Sequence, residues 1–308
     1  MSRTYPELKR CQVCPHACKI NRYQELGFCQ AGADIKINLH QLHFGEEPVL
    51  SGTKGSGTIF FSHCNLQCVY CQNYTISALG WGSETSCEQL VDNMLELQKQ
   101  GAHNINLVTP THYSIQLADA IKLAKQSGLY IPVVWNSNAY EDVDILKSLE
   151  GLVDVYLPDL KYADGRQSAT YSHAPDYPQV ARKTVLEMKR QVGQLKCDEA
   201  GIARKGLIIR LLVLPNNIAG TQDTLEWIAE ALGEDTYISL MAQYYPVWKA
   251  DKFSEINRGI TPSEYEEVLS TMDRLGFENG FTQELSCSEA WTPEFIQSET
   301  ISKDLDTA

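Results

Sequence analysis

The chain has 308 residues, 43% of them apolar and 21% charged, with 26 basic against 39 acidic side chains. That is enough apolar material for a substantial core, arranged as two average domains or one large α/β domain. A formal net charge of -13 argues against nucleic acid as the main partner, because such proteins carry a basic footprint. No apolar run reaches the length needed to cross a bilayer, so no membrane partner is expected. The opening "MSRTYPELKRC" lacks the apolar centre of a secretory signal. A cytoplasmic protein is the expectation, with its ten cysteines reduced. Cysteine clusters in that compartment more often bind metal or act in catalysis than form disulfides.

Residues 1 to about 55 read as loop-rich and begin with "CQVCPHACKINRYQELGFC", which carries Cys11, Cys14, Cys18 and Cys29. Four thiols in so short a stretch, beside Pro15, Gly27 and few apolar residues, cannot make a core of their own. A bound metal is expected to supply the missing folding energy. Zinc on four cysteines satisfies the count, and so does an auxiliary iron-sulfur cluster. The preference is for zinc or another structural role, since a redox role needs a nearby path to a second redox centre. A disulfide pair is the alternative, and His16 is an outside candidate ligand.

From Thr58 onward short apolar runs alternate with helix-like segments. The strand candidates are "TIFFS" (58–62), "INLVT" (105–109), "IPVVW" (131–135), "VDVYL" (153–157), "LIIRLLVL" (207–214) and "YISLM" (237–241). Continuous apolar character suits strands covered on both faces. Ser86 with Gln89 predicts a capping box ahead of Leu90, Met94 and Leu97. Thr261, Pro262, Glu264 and Gly276 bracket another helix from cap to stop. Six strand-helix units predict an α/β chain folded as a partial (β/α)6 TIM-like barrel, with an open doubly wound sheet as the competitor. The expected organisation is a four-cysteine metal-binding extension (1–55), the partial barrel (56–285) and a C-terminal tail (286–308). Cys87, Cys197 and Cys287 are scattered and read as ordinary thiols.

The first strand candidate runs directly into "HCNLQCVYC", residues 63 to 71, with Cys64, Cys68 and Cys71. Asn65, Gln67 and Gln72 make this loop too polar for three thiols serving as small hydrophobes. A closed zinc site demands a fourth ligand, for which His63 and His112 are the candidates. A [4Fe-4S] cluster on three cysteines instead keeps one iron open to a small molecule.

C-x3-C-x2-C after the first strand, with aromatic Tyr70 before the last cysteine, resembles the signature of the radical S-adenosylmethionine (SAM) superfamily. More narrowly, "FGEEPVLSGTKGSGTIFFSHCNLQCVYCQN" is similar to an uncharacterised branch related to pyruvate formate-lyase activating enzymes. The four-cysteine run belongs to the same resemblance. The resemblance implies a [4Fe-4S] cluster on Cys64, Cys68 and Cys71, with SAM chelated at its open iron. It also implies a 5′-deoxyadenosyl radical that takes hydrogen from a protein, such as a glycyl-radical enzyme, or from a small molecule. The reducing partner would be of the flavodoxin or ferredoxin kind. No catalytic residue is assigned beyond the cluster. His63 departs from the pattern, which has a small residue there.

The resemblance also implies where SAM is held. Tyr70 would wall the adenine pocket. The "GGE" segment of the activating enzymes is missing, so Thr109 and carbonyls near Pro110 in "LVTPTHY" would meet the amino group. Asn136 and Ser137 of "WNSNAY", and Asp159 and Lys161 of "LPDLKY", would approach the cofactor or frame a cation, though Asn136 stands where a carboxylate is expected. Asp159 and Lys161 equally suit a structural salt bridge. Arg210, an apolar strand's lone cation, would take the SAM carboxylate, and Gln243 would face the cofactor.

Overall fold

The computed structural model describes residues 3–285 and 293–297. Cys287 and most of the expected tail lie outside the described residues. The strands are β1 (Ile35–His43), β2 (Ser56–Phe61), β3 (Ser83–Thr85), β4 (Ile105–Val108), β5 (Val133–Ser137), β6 (Val155–Pro158), β7 (Lys196–Cys197), β8 (Ala203–Leu212), β9 (Tyr237–Met241) and β10 (Gly280–Thr282). Every residue of β2, β4, β5 and β6 is buried, as strands covered on both faces require.

The sheet runs β10-β9-β8-β6-β5-β4-β2-β1-β3, with β7 paired to β8. From β2 to β10 all neighbours on this path are parallel and follow chain order. A doubly wound sheet reverses the order of its parallel strands at a switch point; the parallel strands here keep one sense from β2 to β10. Winding in a single sense curls the sheet toward a barrel, while β10 and β3 remain at separate edges. The fold is a mixed α/β, unclosed barrel, and the C-terminal ends of its parallel strands open on one side.

Four strands escaped the sequence reading: β1, β10 and the short β3 and β7. β1 lies inside the stretch expected to be loop, paired antiparallel to both β2 and β3. Its polar residues interrupt the apolar run, because an edge-side strand is only partly covered. β10 has three residues and pairs only with β9 on the sheet path. Both predicted capping boxes form, at Ser86–Gln89 and Thr261–Glu264. Gly276 closes the second helix at φ 79°, a left-handed conformation that glycine adopts without steric cost. Described residues near the C-terminus return to the sheet: Ile296 exchanges backbone hydrogen bonds with the Asn38 amide, and Phe295 packs on Phe60.

Beneath β5, the Glu141 carboxyl is 3% exposed and accepts from Trp135 Nε1 at 3.0 and 3.1 Å. Burial pushes it up from 4.5 to about 7, against the pull of hydrogen bonds from Ser137 and Trp135. The native chain then holds a proton that the unfolded chain has released. This contribution is complete below the unfolded value and is lost as pH rises through about 7. Glu141→Gln, which keeps an acceptor for Trp135, is expected to remove on the order of 3 kcal/mol of that pH dependence. Urea unfolding at pH 5 and pH 8 checks this; a stability difference from the parent that is identical at both pH values refutes it.

Candidate functional site

One cavity of about 760 Å³ opens at the C-terminal ends of the parallel strands. Cys64, Cys68 and Cys71 line it together, carried by the loop after β2. Every other residue singled out for the cofactor reaches the same space. Tyr70 comes from the cysteine loop and Thr109 from the end of β4. Asn136 and Ser137 come from β5, and Asp159 and Lys161 from the residues after β6. Arg210 on β8 and Gln243 after β9 complete the ring.

The cysteine loop is tied down along its length. Val69 N–H donates to the Tyr171 carbonyl, and its own carbonyl accepts from Lys249 N–H, each at 2.9 Å. Asn65 is fully buried, not solvated: its amide donates to the Tyr140 carbonyl and accepts from Asn138. Each sulfur has a polar neighbour. Cys64 Sγ accepts from Leu66 N–H at 3.4 Å and Asn138 Nδ2 at 3.5 Å. Cys68 Sγ accepts from the Ser172 hydroxyl at 2.9 Å, and Ser77 Oγ lies 3.1 Å from Cys71 Sγ. Burial pushes Cys64 and Cys68 up to about 11 and raises Cys71, while the Lys161 charge pulls all three the other way. Holding these sulfurs as thiolates at neutral pH therefore calls for additional positive charge.

Tyr70 is 4% exposed and its ring meets Tyr244 edge-on at 5.8 Å. Its hydroxyl belongs to a chain, Tyr70 to Tyr162 to Ser172, with both oxygen-oxygen distances 2.7 Å, that ends on Cys68 Sγ. Thr109 has φ 60°. A β-branched residue in that region costs on the order of 1–3 kcal/mol, and such strain persists only where the surroundings enforce it. Gln243 is bound on both sides: its carbonyl accepts from Gln72 and its Oε1 from Gln283. It thus joins the cysteine loop to the ends of β9 and β10.

The polar floor is a buried ion network. Arg210 Nε donates to Asp159 Oδ1 at 2.6 Å and Nη2 to Asn136 Oδ1 at 2.5 Å, while Nη1 faces Glu46 Oε2 at 3.4 Å. Lys161 Nζ donates to Asp159 Oδ2 at 2.9 Å. Burial opposes ionisation of Asp159, but the Arg210 and Lys161 charges outweigh it and hold the carboxyl below its usual range. Glu46 is pushed up to about 7, chiefly by burial, against the pull of Arg210. Two carboxylates and an amide thus occupy the guanidinium that the sequence offers to a cofactor carboxylate, and Asn136 stands as a neutral acceptor within that set.

Sequence reasoning missed Glu46, Asn138, Ser172 and Ser77. Glu46 sits in "FGEEP" between β1 and β2, and Ser172 is separated from Cys68 by about a hundred residues. No local signal marks either. His63 does not line the cavity. Its ring lies against Gly80, where an added Cβ would come within 2.5 Å of it, and burial lowers its pKa to about 4. His112 is also buried away from the cavity, with Nε2 2.9 Å from the Ser62 carbonyl. Neither histidine is placed as a fourth ligand. Among the described residues, no three Cys, His, Asp or Glu side chains are gathered around one point as a single metal ion requires. Cys87 and Cys197 line neither this cavity nor the smaller one beside the N-terminal cysteines.

The model of the radical SAM superfamily matches residues 58–193, which span β2, the cysteine loop and β4 to β6. The chain is 32% identical over 279 residues to an uncharacterised protein of Methanocaldococcus jannaschii, MJ0674, covering 88% of this chain and 76% of that protein. The chain belongs to the radical SAM superfamily. A second uncharacterised protein of that organism, MJ0808, is 23% identical over 263 residues, covering 78% and 72%. Among solved structures, HydG, a maturase of the [FeFe]-hydrogenase, aligns with a TM-score of 0.48 at 16% identity, over 71% of this chain. This chain spans about half of that one, 48%. Methylornithine synthase (PylB) aligns with a TM-score of 0.47 at 13% identity, over 79% of this chain and 74% of its own. Superfamily membership implies a [4Fe-4S] cluster and SAM, and the cavity volume lies within the ordinary range for sites that enclose a ligand of that size.

Removing Arg210 leaves Asp159 and Glu46 facing each other in the floor. Arg210→Met is expected to cost about 3–5 kcal/mol in urea unfolding, the usual penalty for breaking a buried pair. In the double variant with Asp159→Asn the two losses should not add, because each removes the same pair. Simple additivity would show that the network is not coupled.

Proposed function

We propose that this protein is a radical SAM enzyme whose cluster is held by Cys64, Cys68 and Cys71 in the cavity above β2. The observation that carries the reading is three thiols together in one large cavity, each sulfur with a hydroxyl or N–H neighbour. Held by these three cysteines, a [4Fe-4S] cluster together with SAM would supply radical chemistry that removes hydrogen from a substrate. The chain's own residues bind, orient and exclude water. Leu66 N–H, Asn138, Ser172 and Ser77 stabilise negative charge on the sulfurs. Lys161 and Arg210 bring positive charge to the floor, offset by Asp159 and Glu46. Thr109, Asn136, Ser137 and Gln243 offer polar contacts for SAM along the strand ends, and Tyr70 gives an aromatic wall.

Within this reading the substrate is a protein, as in activation of a glycyl-radical enzyme, or a small molecule, and a flavodoxin or ferredoxin is the electron donor. The unclosed sheet supports access by a polypeptide loop. Cys11, Cys14, Cys18 and Cys29 hold a second metal centre, so that residues 1–55 form a metal-binding extension on a barrel of residues 56–285. No helix among the described residues is long and apolar enough to cross a membrane; the reading places the enzyme in the cytoplasm, where thiols stay reduced. A closed zinc protein without catalysis is disfavoured by the wide cavity beside the three thiols and by the positions of His63 and His112.

After anaerobic loading with iron and sulfide, dithionite and SAM are expected to yield 5′-deoxyadenosine, and Cys68→Ala should abolish that product while the fold stays intact by circular dichroism. No product from the loaded parent sinks the proposal. Ser172→Ala removes a hydrogen bond that stabilises the reduced, more negative centre. A loss of about 1 kcal/mol corresponds to a midpoint potential roughly 40 mV lower for one electron. Redox titration followed by EPR measures it; an unchanged or raised potential contradicts the assigned contact.

A further inference from the structure

The segment between β1 and β2 closes the cavity from below. His43, the last residue of β1, pairs with Ser56, the first of β2. The segment therefore starts at the N-terminal ends of the parallel strands, opposite the cysteine loop. Within it, Leu50 of the short helix Pro48–Ser51 is fully buried in one cluster with Val134, Val155, Leu157 and Ile208 of β5, β6 and β8. The Leu50 carbonyl accepts from the Asn104 amide at 2.8 Å. Apolar packing against three strands makes this helix a plug in the barrel. Glu46 and Glu47, the two residues ahead of it, line the cavity. Glu46 Oε1 accepts at 2.9 Å from Asn106, the second residue of β4, so the pair lies deeper than the strand ends.

The ion network of the floor is complete without Glu47. Among the described residues, Arg210 bonds Asp159, Asn136 and Glu46, and Lys161 bonds Asp159. Glu47 stands outside that set. It is 8% exposed, and its Oε2 is shielded from solvent with no hydrogen-bond partner among the described residues. A carboxylate oxygen buried in this way is costly until a donor reaches it. A proton on Glu46, which burial pushes up to about 7, brings no such donor, because both Glu46 oxygens already face Asn106 and Arg210. No three Cys, His, Asp or Glu side chains among the described residues gather for a metal ion. The missing partner is then an organic cation with N–H to donate. The same cavity presents Phe44, Phe60, Ile76 and Met241 to an apolar stem. A lone carboxylate in a partly apolar pocket is complementary to an alkylammonium.

We propose that Glu47 binds the ammonium group of a small alkylamine, and that the substrate of this cavity belongs to that class. The ammonium donates to Glu47 Oε2 while the carbon stem packs on the apolar wall. Glu47 binds and orients; it makes and breaks no bond. A free amine suits the site better than a polypeptide, because the carboxylate sits on the plug at the closed end of the barrel. The proposal deepens the radical SAM reading and rests on it for the chemistry performed on the bound amine.

The full chain, loaded with iron and sulfide and saturated with SAM, is titrated calorimetrically with n-pentylammonium chloride. Binding is expected, with none for pentan-1-ol or pentanoate at the same concentration. Glu47→Gln keeps the size of the side chain and removes its charge. It should weaken pentylammonium about tenfold or more, the scale of one charge-assisted hydrogen bond, and leave SAM affinity unchanged. Equal binding of the alcohol, or amine binding that Glu47→Gln does not weaken, overturns the proposal. Weaker SAM binding by Glu47→Gln overturns it too, since the ammonium of SAM would then be the partner. Competition by a tripeptide with a central lysine overturns the assignment to a small molecule. The titration needs no SAM cleavage. A parent that binds the amine through Glu47 but yields no 5′-deoxyadenosine refutes the functional reading alone. One that yields 5′-deoxyadenosine but binds no amine refutes this proposal alone.

Discussion

Three thiols set together at a cavity wall resist ionisation, and that constraint organises the molecule around the cavity. Desolvation and mutual repulsion hold Cys64, Cys68 and Cys71 in their neutral forms. The protein answers with donors aimed at sulfur: a backbone N–H within the loop, the Asn138 amide beyond β5, and hydroxyls from Ser77 and from Ser172 at the end of the helix Gly165–Ser172. These groups weaken the penalty without removing it, because dipoles in a dry site do not replace a full positive charge. Metal binding would supply that charge and would itself stabilise the folded loop.

The sheet makes this convergence possible. Parallel strands in strict chain order all end on the same side, so seven separate segments present polar residues to one space. Charges in that space are balanced in place: Arg210 and Lys161 share Asp159, and Glu46 from the segment between β1 and β2 completes the set. A floor of this kind is rigid because each member would be costly to leave unpaired. It also means that a cofactor entering the cavity meets a prearranged field instead of a lone cation.

The N-terminal residues reach the site by two routes. β1 adds an antiparallel strand against β2, which fixes the strand from which the cysteine loop departs. The four-cysteine stretch contacts the chain beside Cys64 through His16 and is joined to Ser62 through His112. His63, the residue that departs from the family pattern, packs against Gly80 and stays off the cavity.

The central strands could be read directly, because strands covered on both faces must be continuously apolar, and the predicted "YISLM" matches β9 residue for residue. The capped helices could be read because capping is local chemistry, and the spacing of Cys64, Cys68 and Cys71 identified the loop. β1 and β10 could not, since one is partly exposed and mixed in character and the other spans three residues. Tyr70, Thr109, Asn136, Ser137, Asp159, Lys161, Arg210 and Gln243, which the family resemblance singled out, line one cavity. Their partners carried no such signal: Glu46 facing Arg210, Ser172 on Cys68 and His16 on Asn65 are joined across long stretches of chain. Local periodicity and spacing therefore determined the strands, the caps and the thiol loop. Which side chain meets which sulfur or charge was decided only when folding brought distant loops to the same end of the sheet, because hydrogen bonds and ion pairs act over a few ångströms in space and leave no mark in sequence order.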